Sequence, residues 1–344
     1  MDDFVFIVGK GKEAAVKTHE NWLESKGTVI YGGEGRIEAQ FWDKHLETTL
    51  GREVDFPERV VVFGGDGTVN GAVNAIKKLY NWTEGTYEAE LFIFPAGTGN
   101  DIAGTIGVPT ADILKVNDYL TLLEDTDEAF QKKRIDILEL GVTHKDETRK
   151  EYAVLGIHQN LFAKCNVPDW AKAIGKSVYT IKGALEIARL KKEKMNASFN
   201  GEDYGEITMW AGQLFNAPRI AGGDMTNPSS DIFDGEVELI YVAGRGDNPE
   251  IENSEVIRTR FGLYPQIPKL HDNNLLTDIK GTVEISGIKY FVFESADDNK
   301  PLVYGLDGEA PLKADRIDGK VLHCNEPEAI TVQVPKEEYV SILQ

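Results

Sequence analysis

Asp66 and Asp101 each lie inside a glycine-rich turn between an apolar stretch and a helical pattern. The first turn is Gly64–Gly65–Asp66–Gly67–Thr68, entered from Val60–Val61–Val62–Phe63. The second is Pro95–Ala96–Gly97–Thr98–Gly99–Asn100–Asp101, entered from Leu91–Phe92–Ile93–Phe94. Such turns present bare backbone N–H groups at a helix start, where phosphate oxygens are held. A carboxylate there repels a phosphate unless a divalent cation stands between them, so each aspartate predicts a Mg²⁺ contact beside a triphosphate. Neither turn reads GxxxxGK[ST], which excludes an ordinary P-loop. A third carboxylate pair, Asp307 and Glu309 in Leu306–Asp307–Gly308–Glu309, shares one face of an extended strand, with Gly308 allowing close approach. The same residues suit an Asp-Gly hairpin turn.

Positioning these groups requires parallel strands whose carboxyl ends open on one sheet edge. The first 130 residues or so alternate accordingly. Strand Phe4–Val8, helix Glu13–Lys26, strand Thr28–Tyr31 and a helix around Ile37–Leu50 precede the two strand–turn–helix units. This pattern predicts an α/β fold: an N-terminal doubly wound parallel nucleotide domain over residues 1–133. From Arg134 the pattern becomes strict alternation. Short strands such as Gly235–Val242, Gly281–Ser286, Tyr290–Glu294 and Pro301–Gly305 predict a second, β-rich, antiparallel sandwich-like domain over 134–334. One helix, Ser177–Met195, interrupts it, and the tail Pro335–Gln344 is expected to return to the first domain. The active site is expected in the cleft between the domains.

The 344 residues carry 37 Lys plus Arg against 57 Asp plus Glu, a net charge of −20. That balance argues against nucleic acid and against general attraction to anionic membranes. Two cysteines, Cys165 and Cys324, form no CxxC pair and fit a reducing cytoplasm. The six scattered histidines include no HExxH, so zinc is not expected, and His323–Cys324 reads as a packed strand pair. No apolar run is long enough to span a bilayer, and the acidic start Met1–Asp2–Asp3 is unlike a signal peptide.

The two turns, Leu306–Asp307–Gly308–Glu309, and the segment Ala221–Gly222–Gly223–Asp224–Met225 followed by Pro228 and Asp234–Gly235–Glu236 occur in an order that resembles the diacylglycerol kinase catalytic-domain family. That family includes soluble bacterial lipid kinases and the sphingosine and ceramide kinases. The resemblance implies an ATP- and Mg²⁺-dependent kinase acting on a membrane lipid hydroxyl, with diacylglycerol as first candidate. It implies that Gly64, Gly65, Gly67, Thr68, Gly97, Thr98, Gly99, Asn100, Asp101 and Lys12 hold ATP. Asp66, Asp101 and Asp136 would form one carboxylate–water–Mg²⁺ network, and Asp231, Asp234 and Glu236 a second, structural Mg²⁺ site. Asp307 would be the general base, with Glu309 beside it and Asp66 in the catalytic set. A cytoplasmic protein with peripheral contact at the inner membrane face is expected. A homodimer is compatible with a sequence that does not define oligomeric state.

Four positions depart from the family pattern: Val8–Gly9–Lys10–Gly11–Lys12 where Asn-Pro is usual, Gly71, Gly104, and His158–Gln159–Asn160 where Gly-Phe-Asp is usual. Asn160 in place of a carboxylate predicts preference for neutral glycerolipids over sphingosine. Arg189, Lys191, Lys192 and Lys194 close the Ser177 helix as a solvated end or a membrane-docking patch. Three alternatives stay open. An NAD kinase shares the first turn. A nucleotide- or lipid-binding module without catalysis accommodates the departures. A dehydrogenase fits Gly9–Lys10–Gly11–Lys12–Glu13–Ala14 with Glu34.

Overall fold

The computed structural model describes residues 4–32, 58–79, 89–97, 99–109, 115–164, 185–220, 224–225, 227–244, 263, 281–297, 299–307 and 311–343. The expected helix at Ile37–Leu50, together with Glu34, Thr98, Gly308 and Glu309, lies outside them. The chain divides into two compact units, one mainly Met1–Ile137 with His323–Gln344, the other mainly Leu138–Ile220 with Asp224–Leu322. The chain therefore re-enters the first unit at His323, ahead of the expected boundary at 334.

In the first unit, β1 (Phe4–Val8), β2 (Gly27–Tyr31), β3 (Arg59–Gly64) and β4 (Glu90–Pro95) are parallel, with α1 (Glu13–Lys17) and α2 (Glu20–Lys26) between β1 and β2. The single helix expected over Glu13–Lys26 is split at Thr18–His19, where the Thr18 hydroxyl donates to the Ala15 carbonyl at 3.0 Å. After β3 comes α3 (Asp66–Leu79), and after β4 come α4 (Asp101–Ile106) and α5 (Val116–Leu122). β5 (Phe130–Ile135) is the edge strand. The late strand Ile330–Pro335 fills the gap beside it, parallel to β4 and antiparallel to β5. β1, β3 and β4 are near-continuous buried apolar runs, as expected of central parallel strands covered on both faces, whereas the edge strand β5 carries Gln131, Lys132, Lys133 and Arg134. Phe6, Phe63, Phe92, Phe94 and Tyr119 are fully buried in one aromatic core, into which Leu343 of the terminal helix Glu337–Leu343 also packs.

The second unit is antiparallel. Its strands are β6 (Ile137–His144), β7 (Glu147–Ala153), β8 (Gly156–Asn160), β9 (Glu193–Phe199), β10 (Glu202–Phe215), β11 (Val237–Ala243), β12 (Thr282–Ile288), β13 (Tyr290–Ser295), β14 (Leu302–Leu306), β15 (Leu312–Ala314) and β16 (Arg316–Leu322). They form an eleven-stranded sheet ordered β15-β14-β8-β10-β9-β13-β16-β6-β7, with β11 on β10 and β12 on β11. The long β10 is the branch. Its first half pairs with β9, and after a register shift at Met209 its second half takes β8 and β11 as neighbours. Alternating residues of these strands, among them Leu140, Ile207, Leu239, Phe293 and Ile317, bury a single core.

The helix expected over Ser177–Met195 is corrected here. Leu185–Arg189 is helical, but Glu193–Met195 already belongs to β9. The basic residues consequently do not close one helix. Lys194 pairs with Glu206 at 2.5 Å on the neighbouring strand, and Lys192 lies over the Trp210 ring at 5.4 Å. Among the described residues, no helix is long and apolar enough to cross a membrane.

Candidate functional site

The register of β3 against β4 pairs Gly64 with Pro95, so both glycine turns leave the sheet side by side at the carboxyl edge. They touch. A Cβ on Gly97 would stand 2.4 Å from the Gly65 Cα, and one on Gly65 would stand 2.9 Å from the Gly97 Cα. The glycines are thus demanded by turn-to-turn contact, a reason the sequence reading did not supply. A third turn, Gly9–Lys12, joins the row from β1. Gly9 N donates to the Phe63 carbonyl at 2.8 Å, and a Cβ on Gly9 would stand 2.6 Å from the Thr68 hydroxyl oxygen. Lys12 heads α1 at this turn.

Asn100 braces the second turn. It adopts a left-handed backbone conformation, φ 57°, which asparagine tolerates better than other non-glycine residues. Its Oδ1 accepts from Gly97 N at 2.8 Å, and its Nδ2 donates to the Gly97 carbonyl at 3.0 Å. Asp66, in the first turn of α3, crosses to the other unit of the motif: its Oδ1 accepts from Ile102 N at 2.9 Å, capping α4. Asp101 is buried at the start of α4. Gly64, Gly65, Gly67, Thr68, Gly97, Gly99, Asn100, Asp66 and Asp101 therefore belong to one adjoining pair of turns.

Asp136 is not with them. β5 runs antiparallel to Ile330–Pro335, pairing Ile135 with Ile330, and Thr331 pairs with Glu90 at the start of β4. Asp136 therefore follows β5 at the amino edge of the parallel strands, the end opposite the turns. At about 3.3 Å per residue, β4 alone separates these edges by roughly 15–20 Å. The expected network of Asp66, Asp101 and Asp136 is corrected accordingly. Asp136 is fully buried, with Oδ1 3.0 Å from His323 Nδ1 and accepting from the backbone N–H of Cys324.

The acidic loop of the second unit does not converge on one point either. Asp231 accepts from Phe233 N at 3.2 Å and Asp234 from Glu236 N at 2.9 Å, both local turn bonds, and Glu236 stands 3.4 Å from the Lys289 ammonium. Among the described residues, the one group of three ligand-bearing side chains within 4.8 Å of one another is Asp136, His323 and Cys324. Sequence reasoning missed Glu238, buried behind this loop and bonded by the Ser230 hydroxyl. Burial and the neighbouring Asp234, Glu284 and Glu236 push its carboxyl up to about 7. Glu238 shares the strand face of Ile240 and Val242, opposite the core face of Val237, Leu239 and Tyr241.

Asp307 has an occupation of its own. It is 2% exposed, at φ 47° directly after β14. Its Oδ2 accepts from Val154 N at 2.8 Å, and its Oδ1 accepts from Leu155 N at 2.7 Å and Gly156 N at 3.1 Å. At least three of about four lone-pair sites are committed to the turn that enters β8. To take a proton from a substrate hydroxyl it must first release one of them. Asn160 is similarly engaged, donating to the Lys191 carbonyl at 3.1 Å and accepting from the Lys164 ammonium at 2.7 Å. The preference for neutral glycerolipids expected from Asn160 requires its amide to leave one of these partners.

The chain thus combines a parallel α/β unit carrying paired glycine turns with an antiparallel unit. Residues 10–132 match the family described as the diacylglycerol kinase catalytic domain. A diacylglycerol kinase of Bacillus subtilis is 28% identical over 195 residues, 56% of this chain and 56% of the relative. The alignment thus spans about half of that relative's length. The crystal structure of a "putative diacylglycerol kinase from Bacillus anthracis str. Sterne" superposes with a TM-score of 0.62 at 18% identity, over 98% of this chain and 96% of that one. An NAD kinase from Archaeoglobus fulgidus in complex with ATP shares the fold at a TM-score of 0.50 and 10% identity, over 99% and 100%.

Proposed function

We propose that this protein transfers the γ-phosphoryl group of ATP to the hydroxyl of a membrane lipid, with diacylglycerol as the first substrate. The observation that carries the reading is the contact between Gly65 and Gly97, which leaves two adjoining backbone turns with no side chain between them. The turn N–H groups would bind phosphate oxygens, and Lys12 would add a charge from the neighbouring turn. Mg²⁺ would be held by Asp66 and Asp101 and supplies neutralisation of phosphate charge when bound. The lipid oxygen attacks the γ-phosphorus in line, the bond to the β–γ bridging oxygen breaks, ADP leaves, and the hydroxyl proton passes to a base or water. Asp307 is read as the residue that ties the Val154–Gly156 turn rather than as that base.

The test is a panel of acceptors. The full chain is incubated with γ-labelled ATP, Mg²⁺ and mixed micelles holding diacylglycerol, sphingosine or ceramide, and separately with NAD. Label in diacylglycerol supports the proposal. Label in NAD alone replaces it with the NAD kinase reading, and ATP binding without transfer to any acceptor replaces it with a binding module.

A further inference from the structure

His323 and Cys324 follow β16 and stand against Asp136, the residue between β5 and β6. They are not the packed strand pair that their sequence suggests. Asp136 Oδ1 holds His323 Nδ1 at 3.0 Å, which places the proton on Nδ1 and the lone pair on Nε2. Nε2 is used as an acceptor: the side-chain amide nitrogen of Asn325 lies 2.9 Å from it. The Cys324 sulfur is 4.0 Å from the same nitrogen. A carboxylate on one imidazole nitrogen and a thiol facing the other is the arrangement by which proteins orient histidine toward a metal. Two donors on one tetrahedral zinc, at about 2.3 Å for sulfur and about 2.0–2.1 Å for nitrogen, stand roughly 3.5 Å apart. The observed separation therefore needs closing by about half an ångström. Asn325 is exposed, so its amide can swing aside or turn its oxygen inward.

We propose that His323 Nε2 and Cys324 Sγ bind one thiophilic divalent cation of the zinc class, with Asp136 as the carboxylate that orients the imidazole. Sulfur and imidazole select this class over Mg²⁺, which takes oxygen ligands. Binding displaces the thiol proton, so affinity rises with pH. The ion ties the start of the returning segment, at residue 323, to the end of the outgoing one, at residue 136. The site stands at the sheet edge opposite the glycine turns, and the proposal does not depend on the function proposed above.

Cobalt(II) titrated into the full chain, in a phosphine reductant without added thiols, tests it. One equivalent is expected to give a thiolate-to-cobalt charge-transfer band that excess Mg²⁺ does not remove. Cys324→Ser is expected to abolish the band and Cys165→Ser to keep it. Asp136→Asn should weaken affinity by about 10–100-fold, the usual loss for an orienting carboxylate. Zinc should also slow alkylation of Cys324 in the unmodified chain, which needs no variant to fold. Absence of the band, its survival in Cys324→Ser, or alkylation of Cys324 indifferent to zinc overturns the proposal.

Discussion

The residue that departs furthest from its expected part is Asp307. A general base replaced by asparagine loses turnover by roughly 10²–10⁴ with little change in melting temperature. The three backbone N–H groups on the carboxylate give a different expectation. In Asp307→Asn one amide N–H must face a backbone N–H, which costs about 1–3 kcal/mol for the unsatisfied donor. The melting temperature should therefore fall, by about 2–4 °C per kcal/mol. A thermal melt with an unchanged midpoint alongside lost turnover would restore the base. Glu238 gives a pH test. Burial pushes its carboxyl up to about 7 from an ordinary 4.5. The folded chain thus holds this proton more tightly than the unfolded one. The group's contribution to stability is full below about pH 4.5 and is lost as pH rises through about 7. Glu238→Gln should melt near the parent at pH 4. At pH 8 it should melt about 2–4 °C higher, taking about 1 kcal/mol after solvent screening. Parallel melting curves across that range would contradict the burial argument.

At the scale of elements, the adjoining turns are the strictest constraint. Gly97→Ala drives a methyl into the Gly65 backbone. An overpacked contact of that kind costs about 1–3 kcal/mol, and here it also separates the two turns. Calorimetry should find weaker ATP binding together with a lowered melting temperature, whereas Gly201→Ala in the β9–β10 hairpin, with nothing within 4 Å of its added methyl but φ +85°, should affect stability alone. Equal ATP affinity in Gly97→Ala would detach the turns from nucleotide binding. Both turns were legible in the sequence because glycine, an aspartate and an apolar strand together leave few alternatives. The antiparallel unit was legible through its period-two alternation. The course of β5 was not. Strand direction inside a sheet depends on pairing with Ile330–Pro335, nearly 200 residues away, and local pattern carries no trace of it. That one strand moves Asp136 from the phosphate edge to the opposite edge. Nor could alternation separate the end of the Ser177 helix from β9, since lysines occupy exposed positions in either.

For the whole molecule, the net charge of −20 gives no general attraction to an anionic bilayer. The lysines once grouped as a basic patch are divided between a strand pair with Glu206 and a ring contact with Trp210. Replacing Lys191, Lys192 and Lys194 by glutamine should accordingly leave vesicle binding within about twofold, since an exposed pair contributes about 0–1 kcal/mol. A large loss in a flotation assay would reinstate the patch. The central claim is that ATP and a lipid alcohol are converted together. Phosphorus NMR of the full chain with ATP, Mg²⁺ and a short-chain diacylglycerol follows both products in one sample. The account predicts ADP and phosphatidic acid appearing in equal amounts. ADP with inorganic phosphate and no phosphomonoester lipid would contradict it.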